Sequence, residues 1–503
     1  LLCMVLGAGV AVLAAGPTSS VDGPLLEVLL KARSIVAPPT EAPETAAVAV
    51  IAIDPRSLDE PELAAYPRTL MAPVWARTLD VVFGAGAEAV GFDALFSWSA
   101  NRFAPDFDAP FLAALSKHRE RVVLVRTVGA VPAPPFIGAL RNDPGAFGLG
   151  ELAADRDGAY RRVPPAYRTP DEIVPGLAAA VLRRGNGPTM TGDVLIAPTR
   201  HLETIPTYAL IDVLRCADAP DVLARAFRGK RVLVGTTMPE EDRRYTSGRF
   251  LTPVATDGPP LHACGLRRLG ASVPDSKTVP GVYIHAAAVD AVARNRVVVT
   301  ASTPVVGALA AVSGGAGAVV GFALTPWLAL TAVVVIAAIL FAGATAALVN
   351  SVWLPVAIPL GTLAAAPVLA YVVRYVVEER VRRRIENAFS HYLAPSVVER
   401  LSRDTAALRL GGELREVTVI FADLSGFTAL SGRVSAEVLT RVTNEYLGYI
   451  VEAVESTGGY VDKFIGDAVM AMWGAPAADS NHATNAVRAA LAAVARIRAE
   501  HAR

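Results

Sequence analysis

Two aspartates, Asp423 and Asp467, stand where a β-type pattern breaks. The first ends EVTVIFAD (416–423), whose residues 417–422 predict a strand; a small-residue turn over 424–428 follows, with amides suited to phosphate. The second lies in GGYVDKFIGDAVMAMWGAP (458–476), read as two strands turning at Gly466-Asp467. Between them, residues 435–457 predict an amphipathic helix with Leu439, Val442, Tyr446, Ile450 and Val454 on one face and Gly458 as its stop. A second helix is expected from about Asn481. This β-α-β-β order is that of an α+β ferredoxin-like (βαββαβ) domain, here incomplete. It sets the end of the first strand beside the central hairpin, so both carboxylates face one point. Such a pair repels unless a cation lies between. Hard oxygen ligands, completed by substrate phosphate, suit two Mg²⁺ or Mn²⁺ ions. Two ions on a nucleoside triphosphate form a clamp, one activating a hydroxyl and the other holding the departing pyrophosphate. Each aspartate alone reads as a turn residue; the pair reads as a metal site.

The rest of the chain says where this site sits. Of 503 residues, 53% are hydrophobic, and 47 basic side chains balance 47 acidic ones. The mean hydropathy of +0.41 exceeds that of an ordinary soluble enzyme. A net charge of +0 speaks against nucleic acid as a partner. From Val297 to Val373, 77 residues pass without Asp, Glu, Lys, Arg or His. Punctuation divides the segment over 304–373 into three spans: about Pro304 to Leu324, about Trp327 to Val349, and about Trp353 to Val373. Trp327, Trp353, Tyr371 and Tyr375 fall where an aromatic belt would lie. Arg374, Arg380, Arg382, Arg383 and Arg384 mark the cytoplasmic side. Leu1 to Gly16 is read as a further anchor, with a cleaved signal peptide as the alternative. The expected layout is an outside domain over 25–296, three spans in the bilayer, a signalling linker helix over 374–409, and a cytoplasmic site over 410–503.

In the outside domain, short buried strands alternate with helices: AAVAVIAI (46–53), AVGFDA (89–94), RVVLVR (121–126) and KRVLV (230–234), with helical stretches at 75–83 and 111–116. That predicts an α/β domain with a mostly parallel sheet. Asp54 and Asp93 fall at strand ends, where such sheets bind ligands; capping of the next helix or turn is the plainer reading. His285 is either a ligand contact or a hydrogen-bonded residue at a helix start. Residues 255–279 are expected to form a loop insertion, and pairing of Cys216 with Cys264 is open.

The stretches VAVIAIDPRSL (48–58), VGFDALFS (90–97), DGAYRRVPP (157–165), GKRVLVGTT (229–237) and PGVYIHAAAVDAV (280–292) resemble the type-two CHASE family of extracytoplasmic sensory domains. That resemblance implies a sensing role for an unknown outside ligand and names no binding residue. FADLSGFT (421–428) and IGD (465–467) are similar to the class III adenylate/guanylate cyclase catalytic domain. This second resemblance implies Asp423 and Asp467 as metal aspartates, the Leu424 carbonyl as a supporting ligand, and backbone phosphate contacts at Gly426, Phe427 and Thr428. It places the purine-selecting lysine on Lys463, one of five lysines in the chain. A lysine donates to adenine N1, whereas guanine presents a donor there, so ATP is the implied substrate. A homodimer with shared active sites is implied as well.

The expected protein is a multi-pass membrane receptor adenylate cyclase of the cell membrane, making cyclic AMP and pyrophosphate from ATP under an outside signal. A receptor with a silent cyclase-like dimerisation module and a guanylate cyclase are the alternatives. Leu1 in place of Met and an end within a helical pattern predict a chain cut at both ends. A chain cut this way would hold the N-terminal half of a cyclase domain and be inactive alone.

Overall fold

The computed structural model describes residues 21–37, 45–66, 71–170, 172–196, 205–246, 257–270, 278–389, 414–475 and 478–501. The expected anchor over Leu1–Gly16, the linker beyond Phe389 and the Gly411-Gly412 pair lie outside the described residues. Two compact units divide the chain, Leu1–Ala370 and Tyr371–Arg503.

The first unit is built on six parallel strands: β1 (Val48–Ile53), β2 (Ala89–Asp93), β3 (Val122–Arg126), β4 (Phe147–Leu149), β5 (Thr207–Ala209) and β6 (Arg231–Thr236), ordered β4-β3-β2-β6-β1-β5. Their sequences run almost without polar breaks because both sheet faces are covered. Alternate residues feed the two cores. Ile51, Phe92 and Leu124 pack towards the helices Ala72–Gly84 and Ala109–Lys117, while Val50, Val123 and Leu233 pack towards Leu177–Arg184 and Gly281–Ala293. Each of these large side chains is fully buried and stabilises by about 1.5–3 kcal/mol. Gly148 permits a close backbone approach, since a Cβ there would meet the Leu177 Cα at 2.6 Å. Cys216 and Cys264 form a disulfide that fastens the segment 257–270 to the helix Leu210–Arg215.

An N-terminal helix, α1 (Asp22–Val36), buries Leu26, Leu29 and Leu30 against Ala344, Leu348, Trp353 and Val356. Among the described residues three helices are long and apolar enough to cross a membrane: α2 (Thr303–Ala323), α3 (Pro326–Val349) and the first part, Ala357–Val377, of α4 (Ala357–Phe389). The third was expected from about Trp353, yet Trp353 lies in a short strand, Val352–Trp353, paired parallel to Val299–Thr300. Pro355 follows it, and the residue before a proline is steered away from helical backbone. α2 meets α4 through small residues. A Cβ on Gly317 would stand 2.8 Å from the Leu363 carbonyl, and one on Gly321 would stand 2.8 Å from the Pro367 Cα.

In the second unit, strands β7 (Thr418–Ala422), β8 (Tyr460–Ile465) and β9 (Ala468–Trp473) form an antiparallel sheet ordered β7-β9-β8. One face packs Ile420, Ala422, Val469, Ala471 and Trp473 on helices α5 (Ala436–Ser456) and α6 (His482–His501). The buried side of α5 is Leu447, Ile450, Ala453 and Val454; Leu439, Val442 and Tyr446 are only half-buried. Docking of α6 alongside α5 turns the contact stripe towards Leu447 and Ala453. The opposite sheet face stays open, with Val419 39%, Phe421 67% and Ile465 51% exposed.

Candidate functional site

The edge of the small sheet is set by its register. Ala422 pairs with Val469, so one further rung places Asp423 across from Ala468, the neighbour of Asp467. Gly466 takes φ +65° and Asp467 does not, the pattern of a two-residue II′ hairpin turn. Both aspartates thus come to the same sheet end, Asp423 exposed and Asp467 half-buried. Neither carboxylate has a hydrogen bond or ion pair among the described residues. Two unneutralised carboxylates of hard oxygen character fit a divalent cation. No cluster of three or more His, Cys, Asp or Glu side chains suited to a metal occurs among the described residues. A cation here would therefore draw its further ligands from backbone carbonyl, water or phosphate oxygen.

The loop after Asp423 departs from a simple turn. Gly426 adopts φ +84° and caps a five-residue helix, Phe427–Ser431. That left-handed corner is open to glycine at no steric cost. The Phe427 amide donates to the Leu424 carbonyl at 3.2 Å, so two groups expected to meet substrate meet each other. The carbonyl keeps its second lone pair. Lys463 lies on the open face opposite Met470, exposed, with Nζ 3.1 Å from Asp462 Oδ2. A shift of register between Val461 and Lys463 leaves Asp462 as an extra residue in β8. Sequence reasoning passed over Asp462, and no period-2 pattern marks it.

The strand-end residues of the first unit part company. Asp54 caps the helix Pro55–Asp59, accepting from the Ser57 amide at 3.2 Å and from the Ser57 hydroxyl. That is the capping role. Asp93 ends β2 with no hydrogen bond or ion pair among the described residues. His285 lies inside the helix Gly281–Ala293, is buried, and has Nε2 3.2 Å from the Gly150 carbonyl. Burial holds its ring well below the usual histidine range, at about 4. Asp242 and Arg244 form an ion pair at 2.8 Å near both, and no motif of the sequence marks them.

Comparison with known proteins places both units. The CHASE2 domain profile matches residues 3–329, and the adenylate and guanylate cyclase catalytic domain profile matches 412–502. Adenylate cyclase 1 of Rhizobium meliloti is 41% identical over 85 residues, 17% of this chain and 13% of the relative. The adenylate cyclase of Anabaena cylindrica is 32% identical over 91 residues, 18% of this chain and 17% of the relative. An uncharacterized protein of Mycobacterium tuberculosis is 38% identical over 98 residues, 19% of this chain and 17% of the relative. The chain thus spans less than a fifth of the length of these relatives. The covered parallel sheet and the apolar helix that follows it fall within the first match, and the paired-aspartate edge falls within the second. This membrane protein belongs to the CHASE2 family and carries a class III adenylate/guanylate cyclase catalytic domain.

Proposed function

We propose that this chain is a receptor adenylate cyclase of the cell membrane, converting ATP to cyclic AMP and pyrophosphate under control of a signal sensed outside. The observation that carries the reading is the pair of unpartnered carboxylates, Asp423 and Asp467, at one end of the small sheet. Asp423, Asp467 and the Leu424 carbonyl would hold two Mg²⁺ or Mn²⁺ ions. When bound, the ions activate the ribose 3′-hydroxyl and neutralise charge on the pyrophosphate. The backbone of Gly426, Phe427 and Thr428 contacts the phosphates once the Phe427 amide leaves the Leu424 carbonyl. Lys463 exchanges Asp462 for adenine N1, an acceptor. The succession of strand, helices, two strands and helix in the second unit supports a ferredoxin-like reading. Its open apolar face, with Phe421 and Ile465 in water, supports pairing with a second copy. The Cys216–Cys264 disulfide supports an oxidising, extracytoplasmic side for the first unit, and the arginines after Val373 support a cytoplasmic side for the second.

The complete protein in membranes, given Mn²⁺ with ATP or GTP, tests this by mass spectrometry of the products. Cyclic AMP that vanishes in Asp467→Ala is expected. Cyclic GMP in its place would overturn the substrate, and no product from either nucleotide with folded protein would overturn the enzyme.

A further inference from the structure

The helix Pro220–Phe227 buries Val222, Leu223, Ala226 and Phe227 in the core of the first unit, which turns Asp221 and Arg225 outwards, and Arg228 follows at its end. The segment 257–270 is tied beside it by the Cys216–Cys264 disulfide. Cys216 lies four residues ahead of the helix, and Cys264 two residues beyond His262. A recess of about 720 Å³ opens here, lined by Asp221, Val222, Ala224, Arg225, Arg228 and His262. Asp221, Arg225, Arg228 and His262 are all exposed, so a ligand from solvent can reach them.

The polar lining is mostly donor. Other arginines of this unit hold carboxylates: Arg56 holds Asp212, Arg161 holds Glu27 and Arg215 holds Glu60. Arg225 and Arg228 hold none among the described residues. Asp221 stands four residues ahead of Arg225, the spacing that favours an ion pair, and does not engage it. The Arg228 stem rests on a turn, where a Cβ on Gly86 would lie 3.3 Å from its Cγ, so less side-chain freedom is left to lose on binding. His262 Nδ1 accepts from the Cys264 amide at 3.2 Å. A ring nitrogen that accepts carries no proton, so Nε2 carries it and is left to donate. Two guanidinium forks and one imidazole N–H thus share the recess with a single carboxylate. Asp221 lies in the first turn, where a carboxylate complements the helix dipole, about 10 Å of helical rise from Arg228. Water solvates any surface arginine; this pair differs in having a wall beside it whose own donor is set by a disulfide.

We propose that this recess is a binding site for a small organic oxyanion, a carboxylate or a phosphate ester, held by Arg225 and Arg228 and capped by His262 Nε2. The guanidinium fork matches the oxygens of either group two at a time. A cation would meet two guanidiniums, and the volume suits an organic ligand better than a lone ion. As the entry of the outside signal the site deepens the receptor reading and rests on it; its occupancy is measured without cyclase turnover.

The test is calorimetric titration of the full chain in phosphatidylcholine nanodiscs with sodium succinate and sodium glycerol phosphate, beside inorganic phosphate, sodium chloride and choline chloride. Saturable binding of succinate or glycerol phosphate is expected, and the one that binds tells carboxylate from phosphate ester. Binding should weaken about tenfold or more in Arg225→Gln and in Arg228→Gln, each losing a charged hydrogen bond at an exposed position. It should stay unchanged in Arg119→Gln, which removes the same charge elsewhere on this unit. His262→Ala should weaken it and Asp221→Asn should tighten it. No binding in folded wild type, equal binding in Arg225→Gln and Arg228→Gln, or binding of inorganic phosphate alone would each overturn the proposal. A chain that binds an organic oxyanion but makes no cyclic nucleotide would sink the enzyme reading and leave this site standing.

Discussion

Arg161 is 1% exposed and holds three carboxylates at once. Its Nη2 reaches Glu27 Oε1 at 2.5 Å and Asp157 Oδ2 at 2.8 Å; its Nη1 reaches Asp157 Oδ1 at 2.7 Å and Asp155 Oδ2 at 3.3 Å. Glu27 belongs to α1, so this guanidinium ties the N-terminal helix to the loop ahead of Val163. Its bond to Asp157 holds that carboxyl below the usual carboxylate range. Arg161→Met removes the cation from beside Glu27, whose side chain is 5% exposed; Asp155 at 16% and Asp157 at 23% can still recruit water. Breaking a buried pair this way costs about 3–5 kcal/mol. At about 2.1 cal/mol/K per residue, the unit Leu1–Ala370 shifts about 1–2 °C per kcal/mol, so a fall of roughly 3–10 °C is expected. Adding Glu27→Met to Arg161→Met removes the buried carboxylate together with its cation and should recover most of the loss. The assay is thermal unfolding in detergent, followed by near-ultraviolet circular dichroism, for wild type, both singles and the double. A shift below about 2 °C for Arg161→Met, or a double no better than the sum of its singles, would refute the reasoning.

Asp93→Asn should raise the melting point at pH 8 and leave it unchanged at pH 4. A carboxyl whose folded pKa is about 7, against an ordinary 3.8, disfavours the fold only where it is ionised; the gain is up to about 4 kcal/mol above pH 7 and vanishes below 3.8. Replacing Cys216 and Cys264 by serine frees a loop with sequence separation 48 and should cost about 4 kcal/mol, seen as a melting point below that of oxidised wild type that reductant no longer changes. Gly317→Leu should force α2 off the Leu363 backbone, lowering the melting point in detergent and removing crosslinks between cysteines placed on α2 and α4.

Much of this was legible from local pattern. Four of the six parallel strands, the strands of the small sheet and the three apolar helices announce themselves through hydrophobic period, length and punctuation, whereas Phe147–Leu149 and Thr207–Ala209 are too short to show a pattern. What escaped depends on partners far along the chain. Asp54 and Asp93 look alike as strand-end acids, but Asp54 finds Ser57 three residues on, while the surroundings of Asp93 come from Gly150, Asp242 and His285. Trp353 reads as the start of a helix until Thr300 pairs with it. The buried stripe of α5 is decided by α6, and the position of Lys463 by an extra residue in β8 that breaks the alternation.

The last apolar helix is pinned at its start. Asp22 accepts from the Ala357 amide at 3.2 Å, and Trp353 just ahead lies under the Arg162 guanidinium, 5.0 Å from the ring centre. Further along, Pro367 interrupts the helical hydrogen bonds at the place where Gly317 and Gly321 press. Movement at the first turn therefore meets a break in the hydrogen-bond ladder within about 15 Å, so Pro367 is the place where it is taken up as bending, and spin labels on either side of Pro367 would report that bend.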